Sequence, residues 1–366
     1  MLLKYQFHEK ESYIFDLLTL PQHIHYKEDV YSKMDENYEE LIPEETKVYA
    51  REFHKILLPY KERLLPYYYE STEDHDFIAL LSMTHPIIGF DKVEDYLDSL
   101  KNLTEKELLF SVYFALDYYD SDTQENKEKS REVASRLLDH PEEVMVFLQS
   151  LSIGNDARWN LLQFSTQPRG MVGKLVDLLL EIHPQFEVLY EVKKPLILKK
   201  GIELTKKLQA LEGDGLSEVS RGIMKESLLN WEEYPLLISI SNPMQLMLNT
   251  GNVHPFISWG VYLDDIFEAI KEQEENKIQE QVLLFKNLGD KTRYEVVMNL
   301  AKGITSTKVI AQNLHVSPAT ISYHLNNLVT AKIAYLDQVD GRYIYKVNEE
   351  ILKAAIEELK KDFLLK

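Results

Sequence analysis

The sequence predicts a mainly α protein with small β elements, an α+β chain with a large helical N-terminal part and a smaller C-terminal part of different character. Three observations predict this. Apolar residues recur at helical spacing through most of the chain. Short runs rich in β-branched and aromatic residues, bounded by turn residues, fall at 235–263 and 331–347, with short β-like runs also mixed into residues 1–30. Charge is divided unequally: residues 279–366 carry 12 Lys and Arg against 10 Asp and Glu, leaving 29 against 50 in the rest. That asymmetry is itself a sign of separate domains, and 366 residues exceed what one core usually organises. The boundary is expected near residue 272, giving an acidic, mostly helical domain over 1–272 and a second domain over 273–366.

From the N-terminus, MLLKYQF alternates weakly and SYIFDLLTL reads as the start of a helix. Residues 44–70 carry an apolar stripe broken at Pro59 and Pro66. Proline removes a helix hydrogen bond and clashes with the preceding turn, so two shorter helices are expected. Helical runs follow over 73–83, 92–100 and 104–119. The last opens with a capping box, Thr104 and Glu107. Polar residues 120–130 predict a surface loop. Helices are expected over 132–151, 156–164 and 171–182, and over 186–211 with interruptions at Pro195 and Gly201. Gly213 and Gly215 break the pattern, and 217–230 is amphipathic. PLLISIS, MQLMLNT and FISWGVYL, separated by Asn242-Pro243 and Gly251-Asn252, predict a small sheet or hairpin. The charged run KEQEENKIQEQ is a solvent-bridging helix or a linker.

The C-terminal part is more specific. Residues 307–328 read TKVIAQNLHVSPATISYHLNNL. Ile310, Ala311 and Leu314 share one face of a first helix, and His315-Val316 makes a corner. Ser317 is an N-cap with Pro318 in the first turn behind it. Ile321, Leu325 and Leu328 then fall on the inner face of a second helix. Upstream, LLFKNLGDKTRYEVVMNLAKG gives a helix ending at Gly289 and another starting near Asp290, with Val296, Val297 and Leu300 inward. Downstream, two β-rich runs flank Asp340-Gly341, a two-residue hairpin signal. A last helix covers 349–363. Helix, helix, helix, hairpin is the winged helix-turn-helix order.

These motifs, LGD-TR, then A-LHVSPATISYHL-L, then the DGR wing, resemble the ArsR (arsenical-repressor) family of bacterial transcriptional regulators, over about 278–366. His315 stands where that family has a glycine, and Lys291 where it often has a proline. The resemblance implies a DNA-binding transcriptional regulator acting on double-stranded operator DNA. It implies contact through Ser317, Pro318, Ala319, Thr320, Ser322, Tyr323, His324 and Asn327 in the major groove, and through Arg342 at the wing. It also implies a homodimer formed by the first and last helices, where Leu283, Leu284, Leu288, Ile351, Ala355, Ile356 and Leu359 are the apolar positions. The N-terminal domain is then expected to sense an effector, small molecule or peptide, or to mediate assembly. The alternative is a scaffold protein whose winged helix binds protein and not DNA.

Other classes find little support. The net charge of −19 opposes DNA binding only if the acidic and near-neutral parts are averaged. Lys286, Lys291, Arg293, Lys302, Lys308, Lys332, Arg342 and Lys346 remain to meet phosphates. There is no cysteine, hence no thiolate metal site. The segments that carry metal ligands in ArsR-type sensors hold neither a cysteine pair nor a histidine here, so no metal and no cofactor is expected. His23 and His25 would share a face on an extended strand, but two histidines without a third ligand are a weak signal. No phosphate loop, nucleophile elbow or HExxH occurs, so no enzyme is expected. No run is apolar enough to span a bilayer, and the first residues lack a signal peptide's character; a cytoplasmic protein with no membrane partner is expected. Tyr67–Tyr69, Tyr118-Tyr119, Trp159, Trp231 and Trp259 are expected mainly as core.

Overall fold

Strand β1 (Lys4–Phe7) runs directly into helix α1 (Glu9–Thr19), and a 3-10 turn (Leu20–His25) follows. The structure is a computed structural model. It describes residues 4–26, 43–71, 75–120, 127–211, 214–226, 229, 233–249, 255–274, 277–339 and 342–364; the side chains of 269–274, 277–279, 339 and 342 are outside that description. The chain divides into two compact units. One holds the described residues up to Leu211 and those of 230–264; the other holds those of 212–229 and of 265–366.

In the first unit, helices α2 (Glu44–Leu57) and α3 (Lys61–Leu64) are separated by a 3-10 turn at Leu58–Tyr60, the expected break at Pro59. Next come α4 (Phe77–Ser82), α5 (Val93–Lys101) and α6 (Glu105–Asp120). The capping box forms: Thr104 N donates to Glu107 Oε2 at 2.8 Å, and Glu107 N to Thr104 Oγ1 at 3.3 Å. The expected helix over 132–151 is split by Pro141 into α7 (Lys127–Asp139) and α8 (Val144–Ser150). In α9 (Asn155–Thr166), Ala157, Leu161 and Phe164 face inward. Trp159 lies off that face and is 59% exposed, contrary to its expected core role. Trp259 is buried, and Trp231 lies outside the described residues.

The two helices expected between 171 and 211 are one. Helix α10 (Pro168–Ala210) runs 43 residues through both Pro184 and Pro195. Eleven residues are about three turns, so both rings lie on the same, exposed side, where water can replace the lost backbone bonds. Gly201 does not interrupt it either. A Cβ there would sit 2.5 Å from the Phe7 ring, so the glycine lets α10 close onto β1.

Strands β2 (Glu233–Ser239), β3 (Leu246–Asn249) and β4 (Phe256–Gly260) join β1 in a sheet of order β1-β2-β4-β3. β1 and β4 run parallel to β2, with Lys4 opposite Glu233 and Leu236 opposite Ile257; β3 is antiparallel to β4. β1 ends opposite Leu236, and α1 takes over the free edge of β2. Ser12 Oγ accepts from Ile238 N at 3.0 Å. Asp16 accepts from Ile240 N at 3.0 Å and Ser241 N at 3.1 Å, and from the hydroxyls of Ser239 and Ser241. Residues four apart on a helix rise about 6 Å and residues two apart on a strand about 6.6 Å, so the two ladders match. This explains a fully buried aspartate in an apolar run.

The second unit holds a short helix α11 (Gly215–Val219), most of α12 (Leu263–Glu274), then α13 (Lys277–Gly289), α14 (Lys291–Ala301), α15 (Thr307–Leu314) and α16 (Pro318–Thr330). The hairpin β5 (Ala334–Val339) and β6 (Arg342–Val347) and the last helix α17 (Glu349–Asp362) complete it. In the amphipathic stretch 217–230 helix α11 stops at Val219, and just beyond it Arg221 and Gly222 take left-handed backbone angles. Leu284, Val296, Leu300, Ile310, Ile321, Leu325, Leu328 and Ile333 form its core. Among the described residues no helix is long and apolar enough to cross a membrane.

Candidate nucleic-acid interface

Each helix around the corner begins with a side-chain cap. Asp290 Oδ1 accepts from Arg293 N at 2.8 Å, Ser306 Oγ from Val309 N at 3.3 Å, and Ser317 Oγ from Thr320 N at 3.0 Å. These satisfy amides that a first turn leaves without partners. At the corner His315 takes φ 55° and ψ 41°. Val316 N donates to Ala311 O at 3.1 Å and His315 N to Gln312 O at 3.3 Å, the paired bonds of a Schellman cap. The corner thus aims α16 away from α15 with its backbone satisfied.

Ile321, Leu325 and Leu328 fix one side of α16 in the core. The opposite side is open. Ala319, Tyr323 and Asn326 are exposed and Ser322 is half-exposed, at helical offsets of three, four and seven from Ala319. Tyr323 is 43% exposed. Asn326 belongs to this face although the motif does not mark it; the helical period from Ala319 finds it. Asn327, one residue on, is half-buried, with its Nδ2 enclosed and without a hydrogen bond among the described residues. Ser317 and Thr320 are bonded to each other through their hydroxyls at 2.8 Å. Pro318 occupies the first turn and is half-buried.

His324 is half-buried beside the start of α14. Burial lowers its pKa, Asp290 opposing and Arg293 adding to the effect. The shift favours the neutral ring over the charged one. The cations divide too. Lys346 pairs with Asp337 at 2.8 Å, and the Arg293 guanidinium lies 3.9 Å from Asp290. Lys332 is half-buried, its pKa lowered by burial and then by Arg221. Lys302 is exposed, and Lys291 is exposed with Glu295 at 4.0 Å.

In the wing, Val339 pairs with Arg342, so two residues connect the strands. Those two, Asp340 and Gly341, and the Arg342 side chain lie outside the described residues. Tyr345 packs on the core of the unit. Of the apolar positions on the first and last helices, Leu284 and Ala355 belong to that same core, and Leu288 and Ile351 pack against it. Leu283 and Leu359 are half-exposed, and Ile356 is 50% exposed.

The histidine pair is separated by the fold. Residues 20–25 form a 3-10 turn, not a strand; His23 Nε2 bonds the Ser241 carbonyl at 2.8 Å and His25 Nε2 the Tyr68 carbonyl at 2.9 Å. Among the described residues no cluster of three His, Asp or Glu side chains is arranged to hold a metal ion.

Comparison with protein families places a match on residues 290–335, to the family described as "Bacterial regulatory protein, arsR family". The matched segment begins at the Asp290 cap, covers both helices of the corner and ends at the second residue of β5. The C-terminal region therefore carries an ArsR-family helix-turn-helix domain, and no family match falls on the N-terminal region. Comparison with curated proteins and with solved structures finds no match.

Proposed function

From an ArsR-family domain at residues 290–335, we propose that the protein is a transcriptional regulator that binds operator DNA through α16 and the wing. The observation that carries this is the two-sided helix α16: an inner face held in the core, and an outer face of short or polar side chains left open. Such a face enters a major groove, where base edges present their hydrogen-bonding pattern. Thr320, Ser322, Tyr323 and Asn326 make the base or sugar contacts, and Arg342 reaches the adjacent minor groove. Two copies associate through the open positions of α13 and α17, Leu283, Ile356 and Leu359. That dimer reads half-sites about one helical turn apart or a multiple of it. The acidic N-terminal unit is the sensing part, and the protein works in the cytoplasm. An effector acts by binding the DNA-competent and incompetent states with different affinity.

The test is binding to DNA from upstream of the chain's own gene across a salt series. The expected result is sequence-selective binding that falls steeply with salt, as phosphate contacts release counterions. The variant Thr320→Ala with Arg342→Ala is expected to bind about tenfold or more weakly with little change in melting temperature. Equal binding by the variant removes the site assignment. Weak, non-selective binding by the wild type removes the regulator reading and leaves a protein-binding winged helix.

A further inference from the structure

The parallel strands β2 and β4 end together, at Ser239 and Gly260, whereas β1 stops earlier, opposite Leu236. Ligand sites of open α/β sheets lie beyond such carboxyl ends. Here the edge is tightly built. Val261 N donates to Ser239 O and Tyr262 N to Pro243 O, both at 2.9 Å, so the chain leaving β4 is pinned to the chain leaving β2. A Cβ on Gly260 would lie 2.4 Å from the Pro243 carbonyl, which shows how closely the two segments approach. Tyr262 is thereby fixed at the edge, and α10 and α2 bring Lys193 and Tyr49 to it.

Lys193 is half-buried between the two tyrosines. Its Nζ lies 4.5 Å from the Tyr49 ring centre and 5.9 Å from that of Tyr262, and it donates to Tyr262 Oη at 3.2 Å. Two other lysines of α10 have a carboxylate: Lys194 has Glu191 at 3.1 Å, and Lys200 has Asp264 at 3.7 Å. Among the described residues Lys193 has none. That is notable where residues 1–278 hold 50 acidic side chains against 29 basic. The local chemistry is donor-rich. An ammonium has three N–H donors, and one is spent on Tyr262. The Tyr262 hydroxyl proton has no acceptor among the described residues. Tyr49 and, behind it, the buried Phe53 (ring centres 5.9 Å apart) supply an aromatic wall.

We infer that this edge binds a small organic carboxylate with an apolar or aromatic body, Lys193 serving as counter-ion and Tyr262 as second hydrogen-bond donor. One ammonium and one hydroxyl match a monoanion; a phosphate dianion would call for more positive charge than this edge offers. The inference rests on the reading of the N-terminal unit as the sensor and names the chemistry it senses.

The experiment uses the full chain and three probes, benzoate, phenylacetate and hexanoate, measured by calorimetric titration without DNA. Benzamide serves as the neutral isostere of benzoate, and inorganic phosphate as the rival anion. At least one carboxylate is expected to bind saturably at one site per chain, with benzamide at least about tenfold weaker. Lys193→Met is expected to weaken binding about tenfold or more, and Tyr262→Phe by a smaller factor of about three to ten. Lys193→Arg is expected to restore most of it, and Lys194→Met to leave it unchanged. Melting temperatures are read on the same samples, so a folding defect in one variant is seen and the arginine variant decides. No binding by any carboxylate, equal binding by Lys193→Met, equal binding of benzamide, or binding of phosphate in place of carboxylates overturns the inference. DNA affinity is then measured with and without the bound carboxylate. An unchanged affinity keeps the site and removes its sensing role, whereas absent DNA binding removes the regulator reading and leaves the site standing.

Discussion

His315 carries a side chain in the left-handed region, at the position where a Schellman cap favours glycine. A β-carbon there costs roughly 1 kcal/mol, and histidine bears it better than a branched residue would. The side chain is exposed, so nothing is lost by removing it. His315→Gly is therefore expected to stabilise the second unit by up to about 1 kcal/mol, partly offset by the greater freedom of glycine in the unfolded chain. A thermal melt checks this, and a lowered melting temperature would mean that the imidazole makes a contact of its own.

At the scale of elements, the join between α1 and β2 is the most specific polar feature of the first unit. Burial pushes the Asp16 carboxyl up to about 6, against the hydroxyls of Ser239 and Ser241 and the amides of Ile240 and Ser241, which pull it down. Asp16→Ala leaves those donors buried and unmatched, and a loss of about 3 kcal/mol or more is expected. Burial also lowers the neighbouring His23 to about 4. The two have opposite signs. His23 contributes stability above its ordinary value of about 6.5, and that stability is lost as pH falls towards 4. Asp16 contributes most below its ordinary value of about 4, and loses that as pH rises through 6. Between pH 4 and 6 they offset each other. Asp16→Asn removes one side of the balance, so urea melts of this variant should show a steeper fall in stability on acidification from 6.5 to 4 than the wild type. A parallel fall in both proteins would show that Asp16 does not titrate there.

At the scale of the whole molecule, the winged-helix unit is not a contiguous stretch of chain. Residues 214–226 belong to it although the segments on either side belong to the other unit. Asp214 Oδ1 closes this segment on itself, accepting from Ser217 N and Glu226 N at 2.9 Å. Arg221 Nη1 donates to Phe267 O at 2.8 Å, and Lys225 Nζ lies 4.6 Å above the Tyr335 ring of β5. Lys346 beside Asp337 holds its carboxyl below the usual range, with Lys225 adding to the effect. A two-stranded hairpin is marginal alone, so a brace on β5 steadies the wing. Lys225→Ala is expected to cost about 1 kcal/mol locally. Amide exchange should then quicken in β5 and β6 while that of α16 is unchanged; uniform exchange in all three would show that the segment does not brace the wing.

How much of this the sequence determined differs between the units for a physical reason. In the second, the helices begin at Asp290, Ser306, Ser317 and Asn348, each a side chain that bonds its own first turn. Those signals are local, and together with the inward positions Ile321, Leu325 and Leu328 they are legible in the sequence alone. Ala319, Ser322 and Tyr323 of the outer face of α16 are legible too, but Asn326 is not, and the expected Pro318, His324 and Asn327 are half-buried. In the first unit α1, α2, α4, α5, α8, α9 and α10 start without a side-chain cap bond, so their ends are set by packing. The tertiary structure alone decided that α10 runs through two prolines, because the side on which they fall depends on what the other side buries. It alone paired Lys4 with Glu233, turned Ser12 and Asp16 into an edge for β2, and drew Lys193 to Tyr262. Such contacts join residues some 70 to 230 positions apart, and no window of sequence contains both partners.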